Sequence, residues 1–243
     1  MGSGAFILVL LLVVALVAVV AALRWRANQE RVQKLARFCL AKGWGFIARD
    51  DELTTRWRCP PFLEGRDRQA RDVVTGTVGH PARRFVAFDY SYVTDNSDGR
   101  GHRSSTKHRY AICALTASAY FPRLEVTPAT VLTRIGNALT GDDIELESEA
   151  FNRRFRVRCP DPRFASDVLT PRTMQALLSR TPLHLRFEGT ELLCWEAGVS
   201  TPVALLERLS TLERFVVGIP EFVWHDYGVT NSGTEPSAGG AAQ

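Results

Sequence analysis

From Ala5 to Leu23 the chain runs nineteen residues without a charge, a polar amide or a proline, and Arg24, Trp25 and Arg26 follow at once. A helix of that length spans about 28 Å, close to the hydrocarbon thickness of a bilayer. In lipid such a segment satisfies its backbone polar groups as a helix. A cleaved signal peptide would open on a basic segment and carry a shorter apolar run. Met1 to Gly4 have no charged side chain, although small residues around Val19 to Ala22 could be forced into a cleavage pattern. No cysteine follows until Cys39, so a lipoprotein's acylated cysteine has no candidate. The expectation is a transmembrane anchor over residues 1–23 and a single-pass protein.

Lys and Arg resist translocation, so the basic flank of a span marks its cytoplasmic side. Arg24, Arg26, Arg31, Lys34 and Arg37 lie within fifteen residues of the apolar end, against only the α-amino group on the other flank. This predicts an outer N-terminus and a cytoplasmic domain, with Trp25 in the interfacial belt. The cysteines Cys39, Cys59, Cys113, Cys159 and Cys194 are odd in number and widely spaced. They outline neither a disulfide framework nor a structural zinc site, and isolated thiols fit a reducing compartment.

Behind the anchor, 45% hydrophobic and 23% charged residues are ordinary values for a folded domain. The bases are nearly all arginine, with only Lys34, Lys42 and Lys107 as lysines, a bias of a GC-rich bacterial genome rather than a nucleic-acid footprint. Charge is unevenly divided. Residues 24–140 carry 20 basic and 11 acidic side chains, a net of +9, whereas residues 141–243 carry 10 and 15, a net of −5. The half next to the anchor could lie against anionic lipid, or its arginines could pair with acids of the second half.

Helical spacing of Val32, Leu35, Ala36 and Cys39 predicts an amphipathic juxtamembrane helix over 24–43 that stops at Gly43 and can continue the anchor. Trp44 to Ala48 reads as a short strand, and Arg56 to Arg71, broken by Cys59-Pro60-Pro61, as a loop. Strands follow over Asp72 to Val78, Arg84 to Val93 and Tyr110 to Leu115. In the second, Phe88, Tyr90 and Tyr92 share one face, and Phe85, Ala87 and Asp89 the other. The connection Asp95 to Lys107 is expected to be an exposed loop.

Further on, Arg123 to Val126 reads as a strand, then a helix capped by Thr127, with Pro128 at its first position and an apolar stripe of Val131, Leu132, Ile135 and Leu139, ending near Gly141. Strands are expected at Asp143 to Leu146 and Phe155 to Val157. Interrupted helical material covers Phe164 to Leu178, and a hairpin turns at Glu188-Gly189-Thr190. A last helix is capped by Thr201 and ends at Gly218. The fold class is therefore α+β, a mixed, mainly antiparallel sheet with packed helices over 44–227, its two halves meeting near 140. The tail 228–243 is too polar and small to pack.

The stretch Leu146-Glu-Ser-Glu-Ala-Phe-Asn-Arg-Arg-Phe-Arg-Val157, followed by Asp161, Ala165, Leu169-Thr-Pro171, Met174 and Leu177, resembles the bacterial group catalogued as domain of unknown function 3137. Gly76, Gly79 and Phe88-Asp89-Tyr90 fit the same pattern, so the resemblance covers residues 70–195. It implies no established activity and carries over no catalytic residue.

Candidate chemistry is sparse. His102 and His108 accompany Arg100, Arg103, Lys107 and Arg109, a positive spot that could receive phosphate or lipid headgroups, though a solvated loop is the simpler reading. Asp142, Asp143, Glu145, Glu147 and Glu149 could attract a hard cation, but alternate acids also describe the wet face of an edge strand whose Ile144 and Leu146 point inward. G-x-S-x-G is absent, and Gly76-Thr-Val-Gly79 lacks the lysine of a phosphate loop. Asp89 is read as a hydrogen-bonded structural acid. No catalytic, cofactor or metal residue is assigned and no cofactor or nucleic-acid partner is expected. The sequence supports a membrane-tethered, non-catalytic binding or scaffolding module with an unknown protein partner. The alternatives are an anchored hydrolase-like enzyme or an envelope-facing domain of reversed topology.

Overall fold

A computed structural model describes residues 2–97, 103–117, 119–129, 143–179 and 183–228. Its first element is one uninterrupted helix, α1 (Gly2–Ala41), so the apolar run and the juxtamembrane segment form a single rod. The large apolar side chains from Phe6 to Leu23 are 38–71% exposed, and nothing else among the described residues covers them. The helix is long and apolar enough to cross a membrane. Only from Arg31 onward does it pack, burying Leu35 and Cys39 at a four-residue spacing.

The strands β1 (Gly45–Arg49), β2 (Arg66–Val78), β3 (Arg83–Ser97), β4 (Arg103–Thr116), β5 (Glu125–Pro128), β6 (Phe155–Arg158), β7 (His184–Glu188) and β8 (Glu191–Ala197) make one sheet in the order β1-β2-β3-β4-β8-β7-β5-β6. Its recorded pairings are all antiparallel. The helices are α2 (Glu149–Arg154), α3 (Pro162–Val168), α4 (Pro171–Leu178), α5 (Pro202–Gly218) and α6 (Glu221–Asp226). The architecture is α+β, as the alternating patterns indicated.

The sheet has a core on each face. On one, Phe85, Ala87, Cys113 and Leu115 pack beneath Leu35 of α1 and Leu205, Leu209, Leu212 and Phe215 of α5. On the other, Phe88, Tyr90 and Ile112 are covered by Leu53, Trp57, Cys59 and Phe62, from a 3-10 turn (Asp51–Thr55) and the segment after it. The expected face assignment in β3 holds. Gly76 is dictated by packing: a Cβ there would lie 2.5 Å from Trp44 Cδ1.

Three expectations change. Residues 66–71 are strand, not loop, because they lengthen β2 along β3. Asp95 to Lys107 is likewise mostly strand: β3 and β4 stay in register out to Ser97 and Arg103, so at most residues 98–102 connect them. Apart from Ala70, which packs in the second core, these segments are polar on both faces, so period-two alternation could not announce them. Asp143 to Leu146 is not a strand. It makes one backbone bond to β6, Ile144 N–H to Val157 O at 2.9 Å, while Ile144 and Leu146 still pack on the core. The expected helix after Thr127 falls largely on residues 130–142, and the tail on residues from 229, outside the described residues; Pro128 itself ends β5.

Thr201 caps α5, its hydroxyl accepting the Ala204 N–H at 3.2 Å with Pro202 in the first turn. Thr201→Ala is expected to lower stability by about 1 kcal/mol, with Thr201→Ser close to wild type, read from the denaturant midpoint. Equal midpoints for all three would show that core packing alone holds the helix end.

Candidate functional site at the start of the folded domain

The packed part of α1 begins at Arg31, and that side chain organises the site. Its guanidinium donates to Asp72 Oδ2 at 2.6 Å and to the Ser200 carbonyl at 2.7 Å, and its Nη1 lies 3.0 Å from Asp89 Oδ2. The contact with Asp89 is an ion pair without hydrogen-bond alignment, since Oδ2 has no hydrogen-bond partner. Asp89 Oδ1 accepts the Ser200 N–H at 2.7 Å. Ser200 Oγ in turn accepts from Arg208 Nη2 at 2.7 Å, and Arg208 Nη1 reaches Glu196 Oε1 at 2.7 Å. One network therefore ties α1 to β2, β3, β8 and α5.

Local backbone geometry puts Asp72 there. In β2, Arg71 faces Asp89 and Val74 faces Ala87, so Asp72 and Val73 together oppose Phe88. This bulge lets Val73 stay in one core and sends Asp72 to the other face, at a φ of +53°. A left-handed non-glycine residue is uncommon, and aspartate is among the types that tolerate it.

The charges are poorly solvated. Side chains of Arg31, Asp72 and Asp89 are 14%, 12% and 11% exposed. Burial pushes the Asp89 carboxyl up to about 6, against the opposing pull of Arg31 and the Ser200 bonds. The sequence reading of Asp89 as a bonded structural acid is what the geometry displays.

Beside the network opens a cleft of about 710 Å³, lined by Arg24, Trp25, Asn28 and Arg31 of α1, Arg71 and Asp72 of β2, Asp89 and Ser91 of β3, and Lys107 and Arg109 of β4, among others. It exceeds the groove of about 500 Å³ between α4 and α5. Five of its lining residues are cationic and two anionic, and both anions are engaged by Arg31. Among the described residues, no carboxylate pairs with Arg24, Lys107 or Arg109, and Arg71 bonds Gln69. A cleft lined by one sign of charge focuses its potential and concentrates anions. The lining contains no histidine or cysteine.

The positive spot seen in the sequence is divided by the strand. Lys107 and Arg109 share the cleft face, whereas His108 turns away, stacks on Tyr92 and bonds Thr94 Oγ1 at 2.9 Å. Arg100 and His102 lie outside the described residues, as does Asp142. Of the acidic segment, Asp143 pairs with Arg156 and Arg158, and Glu149 with Arg153. No group of three or more potential metal ligands occurs among the described residues. Arg24, Arg31, Arg71 and Asp72 had not been expected as site residues; two lie on α1 and two on β2, and no local pattern links the one pair to the other.

These features define an antiparallel α+β domain joined by a buried ionic network to one long apolar helix. No protein-family model and no curated protein matches the chain. Among solved structures, the mycobacterial trehalose monomycolate transport factor A, TtfA, is similar, with 13% identity over 77% of this chain and 93% of that one, at a TM-score of 0.53. At that identity the likeness shows the fold alone.

Proposed function

We propose that the protein is a membrane-tethered, non-catalytic binding or scaffolding module of a bacterial cell membrane, with its N-terminus outside and its domain in the cytoplasm. The observation that carries this reading is the Arg31 network, which fastens the apolar helix to the domain beside a cationic cleft that begins at Arg24. A domain fixed at that height meets whatever occupies the membrane surface. The fold neighbour is by name a transport factor, and a supporting role in moving or positioning a membrane molecule suits such a module. Membership of the domain of unknown function 3137 group is also proposed, on the residues quoted between 146 and 177.

The orientation rests on the basic flank of the helix. Reporters fused after Gln243 test it: a fluorophore that matures only in the cytoplasm is expected to light up, and an enzyme active only outside to stay silent. The opposite result would overturn the orientation and favour an envelope role.

A further inference from the structure

We propose that the cleft between α1 and the β3–β4 pair binds the phosphate-bearing headgroup of an anionic lipid, with Arg24, Lys107 and Arg109 as its ligands. This rests on the membrane-tethered reading above. Three observations carry it. The cleft holds an excess of cations that the described carboxylates leave uncompensated, because Arg31 engages both Asp72 and Asp89. An anion entering it relieves mutual repulsion, and guanidinium groups match phosphate oxygens with paired donors.

Its position selects lipid over soluble phosphate. The lining starts at Arg24 and Trp25, the first residues past the apolar run, which is the depth of headgroups when residues 5–23 span the bilayer. Arg24, Asn28 and Arg31 follow one helical face, and steps of four and seven residues back from Arg24 reach Val20 and Val17 on that face. A headgroup held by Lys107 and Arg109 therefore has an apolar wall for its acyl chains directly above.

The test uses the full chain in phosphatidylcholine bilayers doped with acyl-brominated lipid, reading quenching of Trp25 by difference from Trp25→Phe. Brominated phosphatidylglycerol is expected to quench preferentially over brominated phosphatidylcholine. Lys107→Gln with Arg109→Gln removes about five-fold of that preference per charge lost, while Lys34→Gln with Arg37→Gln, outside the cleft, leaves it within two-fold. Excess inorganic phosphate at matched ionic strength leaves the preference in place.

Parity between the two lipids overturns the site. So does an equal loss in the Lys34/Arg37 variant, which would mean diffuse charge attraction, or loss of the preference to free phosphate, which would make the ligand soluble. Absence of Trp25 quenching by either lipid is a different failure: it would overturn the tethered reading itself.

Discussion

Arg31→Met is expected to destabilise the domain by about 3 kcal/mol, a drop of roughly 10 °C in the melting temperature of the full chain in detergent. The size comes from what is left behind. Asp72 and Asp89 are 12% and 11% exposed and share Arg31 as their cation, so the variant strands two carboxylates where water cannot solvate them. Methionine keeps most of the aliphatic volume, which separates charge from packing. Adding Asp72→Asn and Asp89→Asn to Arg31→Met removes the stranded charges, and the triple variant should recover more than half of the loss. A single variant within 1 kcal/mol of wild type, or a triple variant no better than the single, would show that the network does not hold α1 to the sheet.

The second large effect is a pair of opposed titrations. Burial pushes the Asp89 carboxyl up to about 6. A folded-state value raised above the ordinary 3.8 gives stability that is full below 3.8 and is lost as pH rises through 6. His184 is the converse. It stacks on Trp195 with ring centres 5.0 Å apart, and burial pushes its imidazole down to about 4. Its contribution is full above the ordinary 6.5 and is lost as pH falls towards 4. Each shift is worth roughly 3 kcal/mol, so between pH 4 and 6 the two nearly cancel.

Single variants expose the hidden slopes. In His184→Phe, which preserves the ring stack, stability should fall as pH rises from 4 to 6; in Asp89→Asn it should fall as pH drops over the same interval. Other carboxylates titrate too, such as Asp95, which Arg66 and Ser105 hold down to about 2, but they are common to all three proteins. Denaturant midpoints at half-unit steps decide the matter, and identical pH profiles for the three proteins would refute it.

Legibility from sequence followed solvent exposure. Where a strand buries one face or both, its residues declare it: the split of Phe88, Tyr90 and Tyr92 from Phe85, Ala87 and Asp89 could be read directly and matches the two cores. The cap of the last helix was equally plain, because Thr201 accepts a first-turn amide with its own side chain ahead of Pro202; the same dipeptide misled at Thr127-Pro128, which lies in β5, and at Thr170-Pro171, read as an interruption, it caps α4. By contrast, Arg66 to Arg71 and Asp95 to Lys107 carry polar residues on both faces. Except at Ala70, which reaches the second core beside Tyr90, they are strands because β2, β3 and β4 extend one another beyond the core. The short helix α6 (Glu221–Asp226) buries only Val223 and lacks a side-chain cap bond, so nothing local announced it.

The amino-acid sequence by itself determined the apolar helix, the α+β class and the basic flank that follows Leu23, since each depends on composition or periodicity along a continuous stretch. It even marked Asp89 as an acid with a structural partner. Only the tertiary structure decided who that partner is. Arg31, Asp72, Asp89, Ser200 and Arg208 meet because the sheet places β8 beside β4, α5 returns over β8, and a one-residue bulge turns Asp72 towards α1. Sheet order and bulge position arise from contacts between distant segments, and a charge becomes a site only where the fold removes water from around it.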